Sequence, residues 1–468
     1  MIEHKSLYWL RRDLRLEDNP ALLSLQKSQN PSLFVYIYDS VECNATGEAG
    51  HWWLNESLKR LQESYRSRFG VSLIILEGEA LELLQKLVKK YKINQVLWNR
   101  LYSSETIKRD TIIKKTFQDQ GVDVETFNGH LLNEPWEVQN NSGQYFKVFT
   151  PYWRKAFEVY QSKKEKLEKL KSINVISHQE NLTFNFLPKK NWYQKFSKYW
   201  TPGEKAAQDQ LSQYLKTNID IYKEARDRPD LDQTSKLSPY LRFGEISSRT
   251  IVLNILKSKK LSASVLTYLS EIGWREFSYS LLYYSKNLAS VPINMKFQKF
   301  PWRKSSKDLD LWKKGKTGIP LVDAAMKQIY EKGWMHNRLR MVVGSFLVKN
   351  LLLNWTLGER YFQETLLDYD EASNAAGWQW IAGCGADASP YFRVFNPILQ
   401  SERFDPQAKF ILQYLPQLQT LKKPSSIFQP YLQEQAFQSL INQNLYCELL
   451  VDLKDSRNRA LEAYQKIK

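Results

Sequence analysis

The chain has 468 residues, enough for two or three domains with a large core, and its mean hydropathy of −0.52 with no membrane-length apolar run argues against a membrane-spanning protein. A net charge of +17 and a pI near 9.4 favour a polyanionic partner, nucleic acid first. Three widely spaced cysteines, Cys43, Cys384 and Cys447, exclude a disulfide framework or a four-cysteine cluster, and the five histidines show no metal-ligand spacing, so no metal is expected.

In chain order, the first 130 residues alternate. SLYWL, SLFVYIYD, VSLIILEG, QVLWNR and VDVETF are short apolar runs suited to buried strands, and HWWLNESLKRLQESYRSRF, EALELLQKLVKKY and ETIKRDTIIKKTFQDQ between them have helical periodicity. That pattern predicts a doubly wound α/β domain with a parallel sheet over 1–130. No GxGxxG or P-loop is present, and a ligand would be expected at the carboxyl ends of the strands, where Arg11, Arg12, Asp13 and Arg15 follow the first one. These four could equally be solvated loop charges. Residues 131–200, with the charged run QSKKEKLEKLKS, read as a long surface connection. Over 201–468 long helical periodicities such as LTYLSEIGWREFSYSLLYY and NRLRMVVGSFLVKNLLLNW predict an all-α domain. The N-terminus lacks a secretory h-region, which together with the cysteine usage predicts a soluble cytoplasmic protein, expected to be monomeric.

Four stretches carry candidate chemistry. In DYDEASNAAGWQW, helical spacing stacks Asp370, Asn374 and Trp378 on one face, with Trp380 roughly opposite, reaching another surface. Such a stripe could hold a polar, planar, redox-active ligand, or be an amphipathic core helix with one hydrogen-bonded Asn. Thr234 to Ser238, TSKLS, precedes Pro239 and could present hydroxyls and free amides to a phosphate, or simply be capped by Thr234 or Ser235. Glu271, Trp274, Arg275 and Ser278 share a helix face able to bind, stack on and pair with a nucleotide; a buried Glu–Arg pair beside a core Trp is the alternative. In GWMHNRLRM, Asn337, Arg340 and Met341 share a face and Arg338 turns elsewhere. Trp302, Trp355 and Trp378 come from three segments and could form a one-electron path or belong to the core.

Taken together, WLRRDLRLEDNPAL, TSKLSPYLRFGEIS, IGWREF, KTGIPLVDAAM, GWMHNRLRM, GERYF, GWQWIAG and PYFRVFNPILQSERFDP resemble the photolyase/cryptochrome family, most closely its class I cyclobutane pyrimidine dimer photolyases. The resemblance implies an α/β antenna domain and a helical domain holding FAD, with light-driven repair of pyrimidine dimers in double-stranded DNA. It implies that Tyr222, Thr234, Ser235, Lys236, Leu237, Ser238, Arg275, Arg340, Asp368, Asp370 and Asn374 contact FAD, with Asn374 beside flavin N5. Arg226, Glu271, Trp274, Asn337, Arg338, Met341 and Trp380 would contact DNA or the flipped lesion, Glu271 and Asn374 would act in catalysis, and Trp378, Trp355 and Trp302 would lead electrons outward in that order. A second chromophore is implied, methenyltetrahydrofolate first, a deazaflavin or flavin otherwise; Glu105 and the Glu48 to His51 region only approximate the folate contacts. Asn337 in place of His speaks against a (6-4) photolyase, and Asn374 against a plant-type cryptochrome.

Overall fold

A computed structural model describes residues 4–180, 183–391 and 393–468. Residues 1–3, 181 and 182, and Phe392 of the PYFRVFNPILQSERFDP match lie outside them. Five strands, β1 (Ser6–Leu10), β2 (Ser32–Tyr38), β3 (Ile74–Glu77), β4 (Gln95–Asn99) and β5 (Asp123–Phe127), form one parallel sheet in the order β3-β2-β1-β4-β5. Each of the five lies within one of the apolar runs above. Helices α1 (Pro20–Ser28), α2 (Ser40–Asn44), α3 (Glu48–Phe69), α4 (Ala80–Tyr91) and α5 (Ser104–Asp119) intervene. The central strands β1, β2 and β4 are buried on both sides because alternate residues serve two cores. Leu7, Trp9, Val35, Ile37 and Val96 pack in one, and Tyr8, Leu10, Phe34 and Tyr36 in another that continues into the helical part. The helix α1, unanticipated from periodicity, starts at Pro20 behind an Asn19 cap and buries Ala21, Leu22 and Leu25.

The segment that reads as a surface connection holds α6 (Phe149–Ser162), and farther on it pairs with the sheet through a parallel bridge between Val175 and Ser32. The helical part then runs α7 (Glu204–Thr217), α8 (Tyr222–Ala225), α9 (Ser238–Phe243), α10 (Ser248–Ser258), α11 (Ala263–Tyr284), α12 (Ser306–Lys313), α13 (Pro320–Lys332), α14 (Asn337–Ser345), α15 (Trp355–Thr365) and α16 (Glu371–Ala382), with further helices to the C-terminus. Helix α6 lies close against α11 because Gly273 has no side chain: a Cβ there would come within 2.5 Å of the Trp153 ring. The periodicity of NRLRMVVGSFLVKNLLLNW does not form one helix. After α14 comes a π-helical turn, Phe346–Asn350, then Leu352 at φ 56°, and Asn354 caps α15 through the Thr356 amide. No helix among the described residues is long and apolar enough to cross a membrane.

Candidate functional site

A cavity of about 500 Å³ opens among α11, α14, α15 and α16, a volume in the range of small-ligand sites. Of the residues expected to hold the cofactor, Ser238, Arg275, Arg340, Asp368, Asp370 and Asn374 line it; of those expected at DNA or a lesion, Arg226, Glu271, Trp274, Asn337, Met341 and Trp380 line it. The residues come from five segments far apart in sequence.

Asp370 is not the first turn of its helix but its N-cap, with a carboxylate oxygen accepting from the Ser373 amide at 2.9 Å. An aspartate at this place competes well for the unpaired amides of a helix start, which is why the helix begins at Glu371. Asn374 and Trp378 then follow one turn apart on α16. Trp380 was expected to reach another surface, yet both indoles line the same cavity, Trp378 at its buried wall and Trp380 half-buried. Gly358 makes room for Trp378: a Cβ there would sit 2.1 Å from the indole. The Trp378 Nε1 has no partner among the described residues although it is buried, a donor left over in a wall lined by carboxylates, cations and an amide.

The charged groups around the cavity are held by one another. Arg340 donates from Nη2 to both Asp368 carboxylate oxygens, at 2.7 and 3.0 Å, and from Nε to the Met335 carbonyl at 2.8 Å; the Ser238 hydroxyl donates to the same carboxylate at 2.6 Å. Burial works to raise the pKa of Asp370, but Arg275, the Tyr279 hydroxyl and the Ser373 amide overcome it, so its pKa is lowered and the carboxylate is charged. The Asn374 amide donates to Glu359, to the backbone oxygen at 3.2 Å and to Oε1 at 3.1 Å, and burial pushes the Glu359 carboxyl up to about 7. Glu271 is raised by burial and drawn back by its ion pair with Arg226. Trp274 is stiffened by Phe149 of α6, whose ring stacks on it at 3.8 Å with planes 9° apart.

Other expected residues stand behind this lining. Tyr222 is buried beneath Arg226, whose guanidinium lies 5.6 Å over its ring. Thr234, Ser235, Lys236 and Leu237 form the loop into α9; neither Thr234 nor Ser235 caps that helix, Lys236 pairs with Asp232 at 2.6 Å, and the Thr234 hydroxyl is buried with no partner among the described residues. Arg338 turns away, pairing with Asp227 at 2.7 Å and lying 4.5 Å over the Phe404 ring. Trp355, at the start of α15, and Trp302 pack in one apolar cluster with Trp378, and a parallel bridge between Arg303 and Leu353 joins their two segments. Trp312 also packs edge-on against Trp378, with ring centroids 6.4 Å apart. Glu359, Phe149, Tyr279 and Trp312 were not singled out by the sequence; GERYF contains the first, but its partner Asn374 lies in another segment.

Away from the cavity, the expected antenna contacts are taken up locally. Glu105 sits exposed on α5 beside Lys108, Glu48 accepts from the Trp192 indole at 2.8 Å, and His51 meets the Tyr38 hydroxyl at 2.6 Å. Cys384 is fully buried, as a small packing residue.

Residues 6–172 match the family model described as DNA photolyase, and 268–466 match the FAD binding domain of DNA photolyase. A deoxyribodipyrimidine photo-lyase of Agrobacterium fabrum is 39 % identical over 99 % of this chain and 98 % of its own. The chain belongs to the photolyase/cryptochrome family. Its fold is the photolyase/cryptochrome fold: the solved class III photolyase from Agrobacterium tumefaciens superposes with a TM-score of 0.92 at 36 % identity, covering 100 % of this chain and 98 % of that one. Cryptochrome-1 of Arabidopsis thaliana is 33 % identical over 89 % of this chain and 63 % of its own length. The helical part is thus an FAD-binding domain, and the cavity's residues fit such a group: Arg275, Arg340, Asp368, Asp370 and Asn374 set cationic, anionic and amide groups beside apolar side chains.

Proposed function

We propose that this protein repairs cyclobutane pyrimidine dimers in DNA under light. What supports the reading is that six of the residues expected at FAD and six of those expected at DNA or the lesion line one continuous cavity. Bound reduced FAD supplies a photoexcitable one-electron donor. Arg340, Asp368, Asp370, Arg275 and Ser238 hold the cofactor, and Asn374, steadied by Glu359, presents its amide to the flavin ring. A dimer inside a duplex must be flipped out, at a cost lowered by its poor pairing. Trp274, backed by Phe149, and Trp380 receive it as flat walls, with Asn337 and Met341 beside them. Glu271, whose pKa is raised by burial, stabilises charge developing on a pyrimidine carbonyl by sharing a proton at its carboxyl oxygen. Arg226, whose side chain is 26 % exposed, steadies that carboxylate in the absence of a lesion and can turn to a phosphate. The net charge of +17 supplies phosphate affinity that weakens steeply with salt. Trp378, Trp355 and Trp302 connect the cavity wall to the surface for reduction of the cofactor by light. The division into an antenna domain over 1–130, a connection over 131–200 and a catalytic domain over 201–468 belongs to the same reading.

The test is blue-light treatment of oligonucleotides carrying a thymine dimer or a (6-4) lesion, with the wild type and Glu271→Gln under reducing conditions. Light-dependent reversal of the dimer alone, with lower yield per photon in the variant, is the expected result. Bound flavin with neither lesion repaired would replace this reading by light sensing, which the cryptochrome relative favours.

A further inference from the structure

Two cavity residues, Arg275 and Asp370, are tied to the α/β part through one imidazole. His130 follows β5 and is 5 % exposed. Its Nε2 lies 2.8 Å from Arg275 Nη2 and 2.7 Å from the Tyr279 hydroxyl, and its backbone oxygen accepts from Arg275 Nη1 at 3.2 Å. The Tyr279 hydroxyl donates to the Asp370 carboxylate. The Arg275 guanidinium lies 4.8 Å over the Tyr279 ring, and the His130 ring meets that ring edge-on at 4.9 Å. Arg275 and Asp370 line the cavity, whereas His130 and Tyr279 stand behind them.

We infer that His130 is a positioning residue, through which the α/β part aims Asp370 (by way of Tyr279) and Arg275 at the FAD held in the helical part. The inference rests on the assignment of Arg275 and Asp370 to FAD. One ring nitrogen faces two groups: a guanidinium that can only donate, and a phenol whose single proton goes to Asp370. Without that nitrogen Arg275 Nη2 loses its acceptor and the Tyr279 oxygen a polar neighbour at 2.7 Å, so that the phenol is held only by its bond to Asp370. The backbone bond from Arg275 to His130 survives any change of side chain, so the nitrogen is separable from the segment that carries it. Glutamine reaches the place of Nε2 with an acceptor and a donor, while asparagine reaches only as far as Nδ1.

The experiment measures FAD release from the full-length holoprotein, by recovery of flavin fluorescence after dilution, alongside the thermal midpoint, in wild type, His130→Gln, His130→Asn, His130→Phe, Tyr279→Phe, the His130→Phe/Tyr279→Phe double variant and Asp370→Asn. Expected is release faster by about tenfold in His130→Phe, His130→Asn and Tyr279→Phe, as for loss of a hydrogen bond to a charged group. His130→Gln should stay within about twofold of wild type, and the double variant should be no faster than His130→Phe alone, since the histidine already lies on the Tyr279 branch. Asp370→Asn should also release faster. Wild-type release from His130→Phe and Tyr279→Phe, with Asp370→Asn fast, would overturn the inference and leave the site assignment standing. Wild-type release from Asp370→Asn would overturn both. Failure of His130→Gln to restore retention, or multiplying effects in the double variant, would reduce His130 to a packing residue.

Discussion

At the carboxyl ends of β1, β2 and β4 the charged side chains turn to one another. Arg11 pairs with Asp110 at 2.5 Å, Arg109 with Asp39 at 2.7 Å and Arg12 with Glu42 at 3.0 Å, and Arg11 and Arg109 lie 4.6 and 4.8 Å over the Trp9 ring. In the helical cavity Arg340 pairs with Asp368 and Arg226 with Glu271, and Met335, Ser238, Ser373 and Glu359 add hydrogen bonds to cavity groups, yet these groups line open space. Both regions are dense in Arg and Asp. The difference teaches that pairing alone does not decide whether a charged cluster can take a ligand: the ion pairs Arg340–Asp368 and Arg226–Glu271 border open space, whereas those of Arg11, Arg12 and Arg109 are largely buried.

Glu42→Ala breaks this comparison most forcefully. It removes the partner of Arg12 and a near neighbour of Arg109, at 3.0 and 3.6 Å, leaving buried charge uncompensated at a cost of about 3–5 kcal/mol, read as a lower denaturation midpoint without any change in cavity residues. Gly358→Ala acts at the cavity instead. The new methyl displaces Trp378, with an expected cost of about 2–3 kcal/mol and loss of retained flavin, checked by denaturation and by absorbance after gel filtration.

The third prediction concerns pH. Burial pushes Glu245 up to about 8, although the Trp53 indole donates to it at 3.0 Å. Its folded pKa lies above the unfolded value, so its contribution is fully present below about 4.5 and is lost as pH rises toward 8. Glu245→Gln removes this loss. The stability of wild type relative to the variant should therefore fall by up to about 1 kcal/mol per pH unit between pH 5 and 8. A constant difference across that range would mean that the carboxyl is charged throughout. The smallest effect is expected from Gly377→Ala, in α16 and on the cavity lining, where an added Cβ meets nothing within 4 Å. It should stabilise the flavin-free protein by about 0.5–1 kcal/mol, and a loss of stability there would mean that the cavity closes when empty.

Much of the α/β part was legible because its strands are short apolar runs bounded by polar turns, and a parallel sheet demands such runs. The cavity residues were legible for another reason. Their motifs, GWREF, GWMHNRLRM and the Asp368 to Trp380 stretch, carry polar and aromatic side chains at helical spacing, a pattern that local stability alone does not require. Periodicity failed where a local conformation intervened: at Asp370, which caps the start of α16 from an extended conformation and does not lie within the helix, and at Leu352, whose φ of 56° interrupts a continuous apolar pattern.

The sequence by itself thus determined the two kinds of secondary structure and the basic charge, which follow from spacing and side-chain chemistry along a single stretch; of the residues that face the cavity, Arg226 and Asp368 were marked for it only by the resemblance of the chain's motifs to a known family. Only the tertiary structure decided their partners: Arg226 beside Glu271, Arg338 beside Asp227, Glu359 beneath Asn374, Phe149 behind Trp274, and His130 against Arg275 and Tyr279. A hydrogen bond or ring contact between residues more than a hundred positions apart, as in the last two, depends on where the chain returns in space, and no local periodicity encodes that.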